Sequence, residues 1–172
     1  ALDFLRHAFL DGAGEFGCRN HVVAEHDGAV VAAGAAWGHR SNPGFALAVA
    51  RQILACYGPL TAPGVILRGL RIESLIPPPS RGLHYLAHLG VQPALRGQGA
   101  GGALTEHLLA QGRAQGRAVA ALDVAVTNPR AQSLYERLGF KVTRERISHL
   151  TNAQATVSSH RRMELSLRDR RD

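Results

Sequence analysis

Apolar positions recur along the chain with two periods, and the period sorts the segments. In "LDFLRHAFL" (2–10), Leu2, Leu5, Phe9 and Leu10 fall on one helical stripe, which predicts an amphipathic helix. "NHVVAEHDGAVVAAGAAW" (20–37) is two apolar runs around Asp27-Gly28. Asp-Gly favours the positive φ angles of a tight turn, so this stretch predicts a β-hairpin. "GFALAVARQILACYG" (44–58) has helical spacing and ends on glycine, and 64–76 forms a further helix stopped by Pro77-Pro78-Pro79. After the prolines, "GLHYLAHLGV" (82–91) predicts a strand, and "GALTEHLLAQGRAQG" (102–116) a helix with Leu104, Leu108 and Leu109 on one face. "RAVAALDVAV" (117–126) reads as an apolar strand. "NPRAQSLYERLGF" (128–140) reads as a short helix with Pro129 in its first turn and Gly139 as its stop. "FKVTRERIS" (140–148) and "HRRMELSL" (160–167) close the chain as two strands.

The order is helix, hairpin, helices, strand, helix, strand, helix, hairpin. It predicts an α/β fold, a mixed central β-sheet flanked by helices, in one domain over residues 1–172. The proline break is too short to be a linker.

Composition changes this picture little. A hydrophobic fraction of 45% is ordinary for a globular chain. No apolar run approaches the ~20 residues that span a bilayer, and no basic segment leads into an apolar signal core, so a membrane partner is not expected and the cytoplasm is the expected compartment. The net charge of +7 invites a nucleic-acid reading. Against it, every basic residue except Lys141 is arginine, scattered among abundant Ala and Gly, as a GC-rich coding bias produces. The terminal "RDRRD" reads as a solvated end. Nucleic acid is therefore not an expected partner. Cys18 and Cys56 form no CxxC and no disulfide framework, and read as buried or idle thiols.

The densest chemical signal is "LGVQPALRGQGAGGAL" (89–104). A phosphate-binding P-loop requires Lys-Ser or Lys-Thr after its glycines, and none follows here. Gly97, Gly99 and Gly102 do match the dinucleotide spacing GxGxxG, with Asp123 about 20 residues on. That motif, however, starts directly after its strand, whereas Gln92-Pro93-Ala94-Leu95-Arg96 intervene here. Its acid also ends the next strand, whereas Val124-Ala125-Val126 follow Asp123. The third reading is a pyrophosphate cradle, in which the free amides of a helix start face an anion and glycines let it approach. Arg96 then adds positive charge at the rim.

"VQPALRGQGAGGALTEHLL" resembles motif A of the GNAT superfamily of acyl-CoA-dependent N-acetyltransferases, with its core at Arg96-Gly97-Gln98-Gly99-Ala100-Gly101. "NPRAQSLYERLGFKV" resembles the next motif of that family, one helix and one strand further on. The resemblance is close over 82–142 and looser over 20–37 and 160–167. It implies a GNAT-like sheet whose central strands splay apart and take the pantetheine arm of acetyl-CoA, bonded to backbone at Leu89, Gly90 and Val91. The pyrophosphate is expected on the amides of Arg96 through Gly101, and Asn128 near the arm as well as capping the helix that Pro129 begins. The family's first strand is expected to be missing, since the chain opens at Ala1 with a helix. An amine would attack the thioester directly, so the lack of a Ser-His-Asp or Cys-His set is consistent. The implied acceptor is a small-molecule or peptide amine, and homodimerisation is expected by family analogy.

Tyr135 matches the family's usual general acid; alone on a short helix it would be a packing residue. The base is less defined. An amine with a pKa near ~10.4 is almost wholly charged at neutral pH, so a group must take its proton. In relatives with a "YLEHLAV"-like strand a Glu precedes the His, but "YLAHLGV" places Ala87 there. Alternation puts Tyr85 and Ala87 on one side of that strand and His84 and His88 on the other, unless the splay near Gly90 alters the parity. Tyr85 and His88 are candidate bases or water relays, and Glu73 is a further candidate. On a strand His84 and His88 lie about 13 Å apart, too far to share a metal, and no metal is expected. Trp37 and Phe45 read as core. The sequence leaves two other functions open: a non-catalytic acyl-CoA sensor, and a transferase for a longer acyl group.

Overall fold

The computed structural model describes residues 2–73, 75–151 and 156–168; most of the basic C-terminal run, and Ser74 within the helix expected over 64–76, fall outside them. The chain runs α1 (Leu2–Asp11), β1 (His21–His26), β2 (Ala29–Gly38), α2 (Asn42–Glu73), β3 (Leu83–Val91), α3 (Ala100–Ala114), β4 (Val119–Ala125), α4 (Pro129–Arg137), β5 (Lys141–Arg146) and β6 (His160–Ser166). One six-stranded mixed sheet has the order β1-β2-β3-β4-β6-β5. This is the expected mixed α/β architecture.

Asp27 and Gly28 join β1 to β2 with φ of 50° and 74°. Two positive φ angles in a two-residue loop make the turn whose twist matches that of the strands. The helix expected over 44–58 and the next one are joined without a loop. Gly58, at φ 73° and ψ 166°, breaks the helical geometry, and Pro59 begins the second segment directly after it. Proline suits a first turn because its missing N–H has no partner to lose. By length and composition α2 is also apolar enough to cross a bilayer. The sequence reading missed this because Gly58, Pro59 and Pro63 divide the run. Much of α2 is exposed, Leu60 at 96%.

Alternation along the strands feeds two cores. Leu86, Leu122, Val124 and Met163 pack with Leu108 and Leu109 of α3 and Tyr135 of α4 on one face. Ala35, Trp37, Tyr85 and Ala121 form the other, against Phe45 of α2 and Ile76. Burying such side chains contributes about 1.5–3 kcal/mol each. Trp37 packs edge-on against Phe45 and Tyr85, so both aromatics serve the core, as their apolar setting suggested.

β3 and β4 are parallel neighbours, paired only over Leu83↔Val119, His84↔Ala120 and Tyr85↔Ala121. Beyond Tyr85 the strands separate while each keeps its other neighbour. On its β2 side β3 carries a bulge: His88 and Leu89 together face the single residue Gly34, between Ala33↔Gly90 and Ala35↔Ala87. His88 takes φ 56°, a left-handed conformation uncommon for a residue with a Cβ. Gly34 suits this place, because a Cβ would come to 3.0 Å from Leu89 and 3.2 Å from Leu104, so both side chains would have to shift.

Candidate active site

The gap between β3 and β4 is a cavity of about 230 Å³. Its walls are Leu86–Leu89 of β3 and Leu122–Ala125 of β4, and Asn128, Ala131 and Tyr135 close one side. With β4 gone from its edge, β3 leaves backbone donors and acceptors unpaired beyond Tyr85, the requirement for an extended ligand to add as a strand.

At the end of β3 the chain enters the glycine turn. Gly97 and Gly99 have φ of 82° and 90°, so each occupies the left-handed region that glycine enters without strain. A Cβ built on either meets no protein atom within 4 Å, so the turn presents open space. Gly99 begins α3 without a side-chain cap, and the first helical bond runs from the Ala103 amide to the Gly99 carbonyl, 3.0 Å. The amides of Ala100, Gly101 and Gly102 therefore have no carbonyl inside the helix. Arg96 folds along the loop, its Nε donating to the Val91 carbonyl at 3.3 Å, and Gln98 donates to Ala94 O. These residues fit a pyrophosphate: free donors at a helix start, with room for an anion and a cation beside it.

Asn128 caps α4, its Oδ1 accepting from the Ala131 amide at 3.2 Å. The helix ends at Gly139, φ 92°. There the Phe140 amide donates to Tyr135 O and the Gly139 amide to Glu136 O, the paired bonds of a glycine C-terminal stop. The same motif sets the Phe140 ring edge-on against Tyr135, centroids 5.9 Å apart, and fixes the tyrosine against the cavity. Burial raises the Tyr135 pKa, so its hydroxyl keeps its proton at neutral pH.

The bulge corrects the parity read from simple alternation. His84 faces α3, where its Nε2 donates to Leu108 O at 2.9 Å. His88 instead joins Tyr85 on the opposite face, its ring among those of Phe16, His21 and Trp37. The extra residue in β3 removes one alternation, so Ala87 and His88 share that face. His21 and His88 have planes within 12° and Nε2···Nδ1 of 3.1 Å, an in-plane hydrogen bond. His88 keeps an exposed edge, yet the crowding rings desolvate it and, with His21 beside it, lower its pKa to about 4.

The Tyr85 hydroxyl donates to Asp123 Oδ2 at 2.9 Å. Asp123 has a side-chain exposure of 1% and accepts two bonds from Arg162, at 2.9 and 2.7 Å. Arg146 Nη1 approaches Oδ1, which Arg162 Nε already bonds, at 3.8 Å. Burial, then the Asp123 charge, pushes the Tyr85 pKa far above the ordinary tyrosine value. This carboxylate was missed as a site residue. Its signal was present: a single acid in the apolar strand "AALDVAV" must find a partner once buried. Glu15 was missed as well. Burial first, then the nearby Glu73, raises its pKa, and its charge reaches Tyr85 on the same face. Glu73 is exposed at the end of α2. Cys18 and Cys56 are both exposed and unpaired, so neither is a core thiol.

A family model for the acetyltransferase (GNAT) family matches residues 3–140. No curated protein matches the chain by sequence. Among solved structures, one described as an acetyltransferase superposes with a TM-score of 0.65 at 18% identity, over 97% of this chain and 80% of its own. A putative acetyltransferase of Salmonella typhimurium, solved with its cofactor acetyl-CoA, gives a TM-score of 0.57 at 20% identity, over 87% of this chain and 65% of its own. The polyamine N-acetyltransferase of Drosophila melanogaster, which forms N-acetylagmatine, gives 0.57 at 26% identity, over 86% and 74%. With its splayed strands, its glycine turn and a family match over most of its length, the chain belongs to the GNAT acetyltransferase family.

Proposed function

We propose that the protein is an N-acetyltransferase that moves an acetyl group from acetyl-CoA directly onto a primary amine. The observation that carries this reading is the separation of β3 from β4 beyond Tyr85, with the open glycine turn at the end of β3. Acetyl-CoA supplies the thioester whose acyl carbon takes the amine and releases the CoA thiol. The amides of the first turn of α3, with Arg96 at the rim, hold the pyrophosphate. The edge of β3 that β4 leaves, over Leu89, Gly90 and Val91, holds the arm. Asn128 spends Oδ1 on its cap and keeps its amide donor for the same ligand. Tyr135, protonated and fixed by Phe140, hands its proton to the departing sulfur.

The hydrogen bonds of His21 support His88 as the base. Its Nδ1 lies 2.9 Å from the Gly17 carbonyl, which only accepts, so Nδ1 carries the proton. Nε2 of neutral His21 is then an acceptor, and His88 Nδ1 donates to it. That leaves the lone pair on His88 Nε2. As the new C–N bond forms, the amine N–H turns acidic and His88 Nε2 takes its proton. In this reading Tyr85, already donating to Asp123, orients that carboxylate. The unpaired exposed thiols suit a reducing cytoplasm, where we place the enzyme.

Ala87, in the place where relatives with a "YLEHLAV"-like strand carry Glu, favours a second reading, a non-catalytic acyl-CoA sensor. Release of free CoA separates the two. An amine panel tested with acetyl-CoA should release thiol only when amine is present. Tight acetyl-CoA binding with no thiol release from any acceptor would leave the sensor.

A further inference from the structure

On the face that carries Tyr85, the strands β5 and β6 and the proline segment enclose a second cavity of about 460 Å³. Arg144, Arg146 and Arg162 line it, against one lining carboxylate, Glu164. Arg144 stands directly opposite Arg162 across the strand pair. Like charges facing across a sheet repel, so the pairing needs compensation. Arg162 has it, from Asp123. Arg144 has no carboxylate partner among the described residues, and Arg146 Nη1 is buried with no hydrogen-bond partner, 3.8 Å from the carboxylate that Arg162 already occupies. His160, opposite Arg146, also holds a buried ring nitrogen, Nδ1, without a partner. A buried donor left unsatisfied is costly, and a converging set of guanidiniums is the usual partner of a carboxylate or phosphate.

This cavity adjoins the first. Asp123 lines the gap between β3 and β4, and the arginine it grips lines the second cavity. The Asp123–Arg162 pair therefore touches both cavities. We infer that the arginine-lined cavity is the acceptor's anion subsite, so that the preferred amine carries a carboxylate or phosphate, held by Arg144 and Arg146 while its nitrogen reaches the gap. The inference rests on the acetyltransferase reading for the nitrogen's destination, but the anion site stands on its own geometry.

Two measurements test it. The first is calorimetric titration of glutarate, and separately of inorganic phosphate, into the full chain at fixed ionic strength with chloride as the control. Arg144→Gln is the comparison, since Arg144 is exposed and its loss leaves the Asp123 pair intact; Arg146→Gln is the second variant. Loss of one charge-assisted hydrogen bond should weaken binding about tenfold or more in either variant. Tighter glutarate binding identifies a carboxylate acceptor, and tighter phosphate binding a phosphorylated one. Binding no stronger than chloride, or unchanged in both variants, overturns the site. The second measurement compares ω-amino carboxylates and phosphoethanolamine with alkylamines of equal length as acceptors. The anionic amines should show the lower KM, and Arg144→Gln should raise that KM about tenfold and erase the preference over the alkylamines. Equal KM for charged and neutral amines in the parent overturns the assignment to the acceptor. If no amine is acetylated at all, the transferase reading fails, while the titration still decides whether the anion site exists.

Discussion

Asp123→Asn removes one charge from a network in which almost nothing reaches water. The side chains of Asp123, Arg162 and Arg146 are 1%, 7% and 18% exposed. Asparagine is nearly isosteric and still offers one oxygen to Tyr85 or to Arg162. It cannot neutralise the guanidinium, so Arg162 stays buried without its hydrogen-bonded counter-ion. Breaking a buried pair from one side costs about 3–5 kcal/mol. For a chain of 172 residues that corresponds to a fall in Tm of roughly 10 °C. Tyr85→Phe supplies the internal standard. It removes one hydrogen bond to a charged acceptor, about 1.5–3 kcal/mol, and leaves the Asp123–Arg162 pair intact. Urea denaturation of the two single variants and the double variant gives their coupling energy, expected at about 0.5–3 kcal/mol because Tyr85 and Arg162 share the Asp123 carboxylate. If Asp123→Asn unfolds at the urea concentration that unfolds the parent, the network is not the buried ionic unit that the geometry describes.

Tyr135→Phe keeps the ring against Phe140 and deletes only the hydroxyl, so kcat should fall roughly 10²-fold while Tm and acetyl-CoA affinity barely move; parent-like turnover would make Tyr135 a packing residue. Gly99→Val places a branched side chain at φ 90°, in the open space of the turn, and should weaken CoA binding by at least about tenfold in a titration, with the folded state retained by circular dichroism. For a primary alkylamine, kcat/KM should rise about tenfold per pH unit from about pH 6 to 9. The rise follows deprotonation of the amine. His88, with its pKa lowered to about 4, is already neutral throughout that range and adds no limb; it becomes protonated only as pH falls through that value. A plateau starting near pH 7 would mean that another group sets the rate.

Local chemistry was legible in the sequence. Asp27-Gly28, Asn128 before Pro129, and Gly139 each act within a few residues of themselves, and each turn, cap and stop lies where those residues stand. The glycine turn was legible for the same reason. The bulge at His88 was not, because a period-two reading carries no term for an inserted residue. That one insertion moved His88 beside His21 and away from His84. The Asp123–Arg162 pair spans 39 residues and depends on β6 lying between β4 and β5, a strand order that hydrophobic periodicity does not encode. The direct continuation of α2 through Gly58 was hidden by the residues that usually mark a boundary.

In the proposed reaction an acyl-CoA lies between the separated strands and gives up its acyl group to an amine. It is tested most directly by the initial rate of CoA thiol release from acetyl-CoA, with and without a panel of primary amines that includes carboxylate-bearing and phosphate-bearing members. Release should depend on the amine, saturate in both substrates and fall roughly 10²-fold in Tyr135→Phe. Thiol release at the same rate without any amine, or none with any member of the panel, would contradict it.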